Sequence, residues 1–328
     1  MVDAEGQIIF HVQGRIVALV EEERQPKVRW EYVTGARVPG PVVLGPDGNV
    51  RFHCSDGYLH CITTAGKQVW APAMVGEPLG HAAPVADAAG NTWINAYDGG
   101  LIKVDPAGRI PSARFFRSRQ RFNAGGILHD DVLLVGSEDG YLFAIDLGPG
   151  QRGNLWDHAA GQGATGWFIN STPALGADGV VVASGDDHLH GFALDGKPLW
   201  QTKMSGQMMG APAIDRHGHV YVGVSVSQRG RQPCGFLVSV DGNSHKVRWE
   251  CATGPIESTP VIGDDDILYV GDNSGTIHAL DLRGNVQWTA KVESPVRSAG
   301  KILAPHRLAF GLDNETLVVL ECASGGMA

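Results

Sequence analysis

Apolar and polar positions alternate along this chain in short runs, each closed by a turn signal. In Tyr141-Leu-Phe-Ala-Ile-Asp146, Tyr141 and Phe143 share one face of an extended strand, and Leu142 and Ala144 the other. Runs of this kind come in pairs joined by Asp-Gly, as at Ser55-Asp-Gly57 and Glu138-Asp-Gly140. Asp-Gly between two alternating runs signals a hairpin, because Gly tolerates positive φ. The pattern predicts an all-β chain of many short strands.

The pairs belong to a longer unit that recurs every ~40–48 residues. Each copy opens on a small–x–Pro segment (strand A). A hairpin follows (strands B and C), ending in Ala-Leu-Asp or a variant, and after a Gly a last run carries Trp (strand D). The clearest copy runs from Ser258-Thr-Pro through Ala279-Leu-Asp281 and Gly284 to Trp288. Others run from Ser171-Thr-Pro to Trp200 and from Gly40-Pro-Val-Val to Trp70, and weaker ones start near Ala82, Ala124, Ala211 and Ser298. The N-terminus enters mid-repeat, Glu5-Gly-Gln-Ile-Ile-Phe-His11 matching Asp47-Gly-Asn-Val-Arg-Phe-His53.

One four-stranded antiparallel blade cannot bury both its faces, whereas a ring of blades buries each against its neighbours. A β-propeller is therefore expected, as one domain over 1–328. Its repeats fall near 1–35, 36–75, 76–115, 116–160, 161–205, 206–252, 253–292 and 293–328. Eight blades with ragged first and last members fit the strand count best, with seven as the alternative. The Ala-Leu-Asp…Gly…Trp spacing, repeated at Ala18/Trp30, Ala193/Trp200 and Ala279/Trp288, resembles the tryptophan-docking motif of the PQQ-like propeller family. The resemblance implies that Trp30, Trp70, Trp156, Trp200, Trp249 and Trp288 pack between blades against the small residue of strand C. The third repeat departs from it: Asp105…Gly108 is followed by Arg109-Ile110-Pro111 with no Trp, so a looser junction is expected there.

Composition agrees with this reading and narrows the function. Gly is abundant at 45 residues, as tight turns require, and 19 % of residues are charged, with a net charge of −9. An acidic chain of this kind speaks against a nucleic-acid partner, and no apolar run approaches a membrane span. The first residues lack the basic and apolar regions of a signal peptide. A cytoplasmic location is expected, or a periplasmic one if a signal peptide has been removed. The five Cys are odd in number and form no CxxC, which argues against a disulfide framework or a zinc ribbon. His188-Leu-His190 and His217-Gly-His219 fall on opposite ends of the repeat and cannot share an ion, so no metal is expected. His60 and His278 match Phe143 in strand C and read as packing residues.

Fold alone does not fix function. Quinoprotein dehydrogenases of this resemblance are longer, and many carry an adjacent Cys-Cys pair over the quinone. This chain has neither, and PQQ is not expected. Propellers place ligands at the mouth lined by the D-to-A and B-to-C loops. The residue before each small–x–Pro triplet reads Val38, His81, Phe122, Asn170, Met209, Glu257 and Arg297, a different side chain at every blade. His81 and Glu257 are acid–base candidates, with Arg297 to hold a carboxylate or oxyanion. Alternatively, Glu257 and Arg297 form a simple ion pair. Asn123 and Asn170 would orient a ligand. Five Arg crowd into Arg109-Ile-Pro-Ser-Ala-Arg-Phe-Phe-Arg-Ser-Arg-Gln-Arg121, and Arg119, Arg121, Phe122 and Arg37 are ligand-binding candidates. A solvated, ion-paired face is the competing reading of that run. The Gly-rich loop ending in Trp167-Phe168 reads as a lid, or as aromatics packing the loop down, and Met209 adds adaptable apolar surface. The expectation is a propeller that binds a small anionic ligand or a protein partner at its mouth, without a cofactor. The alternative is a cofactor-independent lyase, hydrolase or cyclase at the same place. A quinone- or metal-dependent oxidoreductase ranks behind both.

Overall fold

In a computed structural model, all residues are described except 23–24, 77–81, 97, 113–114, 149–152, 160–167, 178, 228–229, 231, 305–306, 324–325 and 328; at 157–159, 183, 322–323 and 326–327 only the backbone is. Strands are the only extended regular elements among them, and they assemble into eight antiparallel sheets. The fold is an eight-bladed β-propeller. The chain divides into two compact units, Met1–His158 and Ala159–Ala328, with blades 1–4 in the first and 5–8 in the second.

In the first unit, blade 1 consists of Ile8–Val12, Arg15–Glu22 and Gln25–Val33, and a bridge from Val2 to Ile8 stands in for its A strand. Blade 2 is Val43–Leu44, Asn49–His53, Tyr58–Thr63 and Ala73–Met74; blade 3 is Val85–Ala86, Thr92–Asn95, Gly100–Val104 and Phe116–Arg117. Blade 4 is Ile127–His129, Val132–Gly136, Tyr141–Asp146 and Gly153–Ala159. The second unit begins with blade 5, Ala174–Gly176, Gly179–Ala183, His188–Phe192 and Pro198–Lys203, and blade 6, Ala213–Ile214, Val220–Val226, Cys234–Val240 and Val247–Thr253. Blade 7 is Val261–Ile262, Ile267–Gly271, Thr276–Asp281 and Val286–Lys291, and blade 8 is Lys301–Ala304, Arg307–Gly311, Leu317–Ala323 and Gly326–Met327.

Strands B and C are buried on both faces and strand D is half exposed, because a blade meets its neighbours across its inner strands. The docked indoles make these junctions. In four blades the D-strand Trp pairs with a small residue of strand C: Ala18 with Trp30, Gly191 with Trp200, Ser239 with Trp249 and Ala279 with Trp288. The register shifts immediately after that small residue each time, a bulge that re-aims the side chain. The indole then meets the C–D turn of the following blade. Trp30 Nε1 donates to Thr64 O at 2.8 Å, and Trp249 Nε1 to Leu282 O at 3.2 Å. Trp200 stacks on His245 at 4.7 Å, and His245 takes the left-handed conformation that Gly holds elsewhere (φ 55°).

At the third repeat strand D pairs over only two residues, Gly100 with Arg117 and Leu101 with Phe116. The ladder is short there. Phe115 meets Trp93 edge-on at 4.9 Å, and Phe116 lies 5.5 Å from Phe143. These two phenylalanines pack strand D of blade 3 against its own blade and against blade 4.

Candidate functional site

In six blades, among the described residues, the end that carries the D–A and B–C loops is built by one repeated pair of chain segments. The N–H of the second residue of the B–C turn, or in blade 6 of Ser225 near the end of strand B, donates to the carbonyl three residues before the small residue that opens the strand-A segment. These bonds are Ser55 to Arg37 at 2.8 Å, Glu138 to Arg121 at 3.0 Å and Gly185 to Phe168 at 3.0 Å. They recur as Ser225 to Gln207 at 2.8 Å, Asn273 to Pro255 at 2.8 Å and Asp313 to Pro295 at 3.0 Å. The next residue along is a buried apolar anchor: Val38, Phe122, Ile169, Met208, Ile256 and Val296 are each at most 2 % exposed. The residue after the anchor turns outward, and reads Pro39, Asn123, Asn170, Met209, Glu257 and Arg297.

This register corrects the expected ring at two places. Phe122 and Val38 are anchors, packed into the cores of blades 4 and 2, and the outward positions are Asn123 and Pro39. A shift of one residue reverses the face of an extended segment, so Phe122 packs in the core rather than at the loop end. Where the triplet lacks its Pro, as in Asn123-Ala-Gly-Gly126, the sequence template slipped by one.

In the second unit, Glu257 and Arg297 come together across blades 7 and 8. Arg297 Nε lies 3.2 Å from Glu257 Oε2 and 3.3 Å from Asn273 Oδ1, and its Nη1 lies 2.8 Å from Asp313 Oδ2. Asn273 Nδ2 donates to Glu257 Oε1 at 2.7 Å. Both Glu257 oxygens are therefore engaged, and one guanidinium serves two carboxylates. Sequence reasoning found Glu257 and Arg297 but missed Asn273 and Asp313. Their signal was a column: they are the second residue of successive B–C turns.

In the first unit, Arg121 pairs with Glu138, and Asn123 donates to the other oxygen of the same carboxylate. Two further arginines of the run have acids beside them. Arg109 pairs with Asp105 at 2.8 Å, and Arg117 lies 3.8 Å from Asp98. Arg119 and Arg37 are exposed and make no side-chain ion pair among the described residues. Acids thus stand beside three arginines of the run, Arg109, Arg117 and Arg121. His81 and Trp167 lie outside the described residues. Phe168 is partly buried and packs over Gly185, where an added Cβ would lie 3.2 Å from the ring, so this aromatic holds its loop down.

Behind the loops stand two aspartate–histidine pairs. Asp272, 1 % exposed, accepts from His278 Nε2 at 2.8 Å, from Ser274 and from the N–H groups of Gly254 and Thr276. Burial opposes ionisation of this carboxyl, but those donors outweigh it and hold its pKa well below the usual range. In blade 5, His190 Nε2 lies 3.1 Å and 3.2 Å from the Asp186 oxygens. His60 occupies the same strand position without such a partner. It stacks on Phe52 at 5.0 Å, and burial lowers its pKa. Among the described residues no group of three His, Cys, Asp or Glu side chains is placed to hold a metal ion. No helix is long and apolar enough to cross a membrane.

Docked indoles, recurring turn bonds and a loop end that differs at each blade define a β-propeller of PQQ-like repeats. The family model described as "Outer membrane protein assembly factor BamB" matches residues 139–299 and 233–327, more than half of the chain, and the chain belongs to that family. No curated protein sequence matches. Among solved structures, BamB from Moraxella catarrhalis aligns over 97 % of this chain and 97 % of its own, with a TM-score of 0.71 and 16 % identity. A europium-containing methanol dehydrogenase aligns over 98 % of this chain and 81 % of its own (TM-score 0.75, 10 % identity). The quinohemoprotein alcohol dehydrogenase of Comamonas testosteroni aligns over 94 % and 69 % (TM-score 0.71, 13 % identity). At such identities the likeness is one of fold. The outer-membrane description lends nothing to the expected cytoplasmic location.

The dehydrogenases raise the question of the quinone. PQQ is a tricarboxylate and needs uncommitted cations around it. At the loop end of blades 7 and 8 the one guanidinium is already shared by Glu257 and Asp313, leaving one negative charge in excess. No two cysteines are adjacent. These residues do not fit PQQ.

Proposed function

We propose that this chain is a partner-binding propeller that engages another protein through the D–A and B–C loop end of its blades. The observation that carries the reading is the network of Glu257, Asn273, Arg297 and Asp313. It is a half-exposed, internally satisfied charged surface made by loops of two blades, with the excess of acid left toward solvent. Such a surface selects a complementary protein patch by charge and hydrogen bonding. The same engagement speaks against a small anionic ligand, because Arg121 and Arg297 already face carboxylates. It also weakens the acid–base alternative, in which Glu257 must be open to accept a proton. Kinship with an outer-membrane assembly factor supports partner binding, and it favours the periplasmic alternative over the cytoplasmic one.

Site-specific photo-crosslinking tests this. A benzoyl-phenylalanine placed at exposed Asn314, in the B–C turn of blade 8, is expected to capture a protein of discrete mass in cells. The same group at exposed Asn285, in a C–D turn, is expected to capture none. Equal capture at both positions, or none at either, overturns the proposal.

A further inference from the structure

At the opposite end of the blades, where the A–B and C–D turns lie, a cleft of about 400 Å³ opens at the seam of blades 6 and 7, both in the second unit. That volume is within the range of small-molecule pockets, roughly 300–1,000 Å³. Arg216 crosses the seam to Asp266 at 2.7 Å and ties the two A–B turns together. The cleft is walled by charged and imidazole side chains from both blades, with Ile267 and Leu282 as its aliphatic members.

The protein itself uses most of the acceptors there and few of the donors. Asp215 accepts from the N–H groups of His217 and His219 and from the Tyr221 hydroxyl. Asp265 accepts from the Ile267 N–H and the Tyr269 hydroxyl, and Asp281 from two N–H groups of its own turn and the Asn285 carboxamide. In Asp266, Oδ2 takes Arg216, and Oδ1 makes no hydrogen bond among the described residues. The donors are freer. Arg248 gives one nitrogen to two neutral hydroxyls, Tyr221 and Ser239, each at 3.3 Å. Among the described residues the Arg283 side chain makes no hydrogen bond, although Asp281 stands near it. Both imidazoles are fixed as donors too. His219 Nδ1 accepts from the Gly242 N–H at 3.0 Å and His217 Nε2 from Arg216 at 3.3 Å, so in the neutral ring the proton sits on the other nitrogen of each.

Charge narrows the ligand. Arg216, Arg248 and Arg283 stand against four carboxylates, so an anion adds to a small excess of acid. A cation meets Arg248 and Arg283 and finds the carboxylate oxygens mostly engaged. A neutral molecule with several hydroxyls incurs neither cost. Each hydroxyl oxygen accepts from a guanidinium or imidazole, and its proton goes to a carboxylate oxygen. We infer that the cleft is a binding site for a small uncharged saccharide. Arg248, Arg283 and His219 donate to its hydroxyl oxygens, and Asp266 Oδ1 accepts from one of its hydroxyls. The site is separate from the loop end proposed for a protein partner.

The test applies the full chain, fluorescently labelled, to a printed array of charged and uncharged glycans, and then measures the retained glycan by calorimetry. Retention of uncharged glycans is expected. Arg283→Gln should weaken that binding about tenfold, as the loss of one hydrogen bond would. Arg283 is exposed, so the variant leaves the core untouched. Asp266→Asn should weaken it similarly, and Asn suits the left-handed backbone there (φ 60°). Lys203→Gln, the same change of charge on the exposed D strand of blade 5, should leave it unchanged. The inference is overturned if no glycan is retained, if only charged ones are, or if affinity is unaltered in both cleft variants or falls equally in Lys203→Gln. Crosslinking at Asn314 reads the other end of the blades, so either proposal can fail without the other.

Discussion

The indole of Trp30 lies against Gly66, a residue of the following blade, so closely that a Cβ at Gly66 would sit 2.7 Å from Trp30 Cδ2 and Cε3. The same approach recurs at Trp70 on Gly108 and Trp249 on Gly284, each at 2.7 Å. All three glycines have positive φ, so the turn and the docking need the same residue for two separate reasons.

Those reasons can be separated. Gly48 also has positive φ (+73°), but nothing lies within 4 Å of its missing Cβ. Gly48→Ala is expected to lose about 1 kcal/mol from the backbone alone. Gly66→Ala adds the displaced indole, for a loss of roughly 2–4 kcal/mol. Urea denaturation of both variants checks the difference; equal losses would mean that docking contributes nothing.

Arg51 is the buried cation of blade 2, its side chain 2 % exposed. Both its terminal nitrogens reach Asp47 at 2.7 Å, and Nε donates to Thr92 of the next blade at 2.8 Å. Asp47→Ala strands that guanidinium and should destabilise by about 3–5 kcal/mol. Arg51→Met, which keeps the volume and removes the charge, should lose less. Thermal unfolding of the two decides it, and the opposite order would show that the pair is not what fixes this junction.

Asp272 sets an acid limit. Its folded pKa is depressed, so its contribution is complete above the unfolded carboxylate value of about 4 and is lost as pH falls through the folded value. Wild-type stability should drop on acidification below about pH 4. Asp272→Asn should be less stable at neutral pH and show a flatter acid limb. Parallel pH profiles for the two proteins would assign the acid sensitivity elsewhere.

The cysteines should separate by reactivity. Burial pushes the Cys54 thiol up to about 12 and Cys61 to about 11, whereas Cys234 is exposed at the start of its strand. Maleimide labelling of the native protein should mark Cys234 rapidly and reach Cys54 and Cys61 only on unfolding. Peptide mapping before and after denaturant reads the outcome, and fast labelling of Cys54 would show that blade 2 opens readily.

Much of the candidate site was legible as a list and little of it as geometry. Glu257 and Arg297 stood out because they occupy corresponding places in consecutive repeats. Asn273 and Asp313, which complete the network, looked like ordinary turn residues. Phe122 was misplaced because a single-residue slip in an extended segment exchanges core for solvent, and without its Pro the fourth repeat offered nothing to fix the count. The arginine run looked like a cation store until Asp98, Asp105 and Glu138 were seen beside three of its five members.

What this sequence determined alone was its periodic structure. Alternation, Asp-Gly turns and the recurring Trp are local, and a local rule repeated eight times leaves one way for each blade to bury its faces. Which loop side chains meet was decided only in three dimensions. The groups at the loop end come from turns some 15 to 40 residues apart, and whether a charge is open or engaged depends on which neighbour a packed blade brings within hydrogen-bonding distance. Asn170 shows the difference: as a letter it resembles Asn123, yet Asn123 donates to Glu138 whereas Asn170 Oδ1 is buried without a hydrogen-bond partner among the described residues.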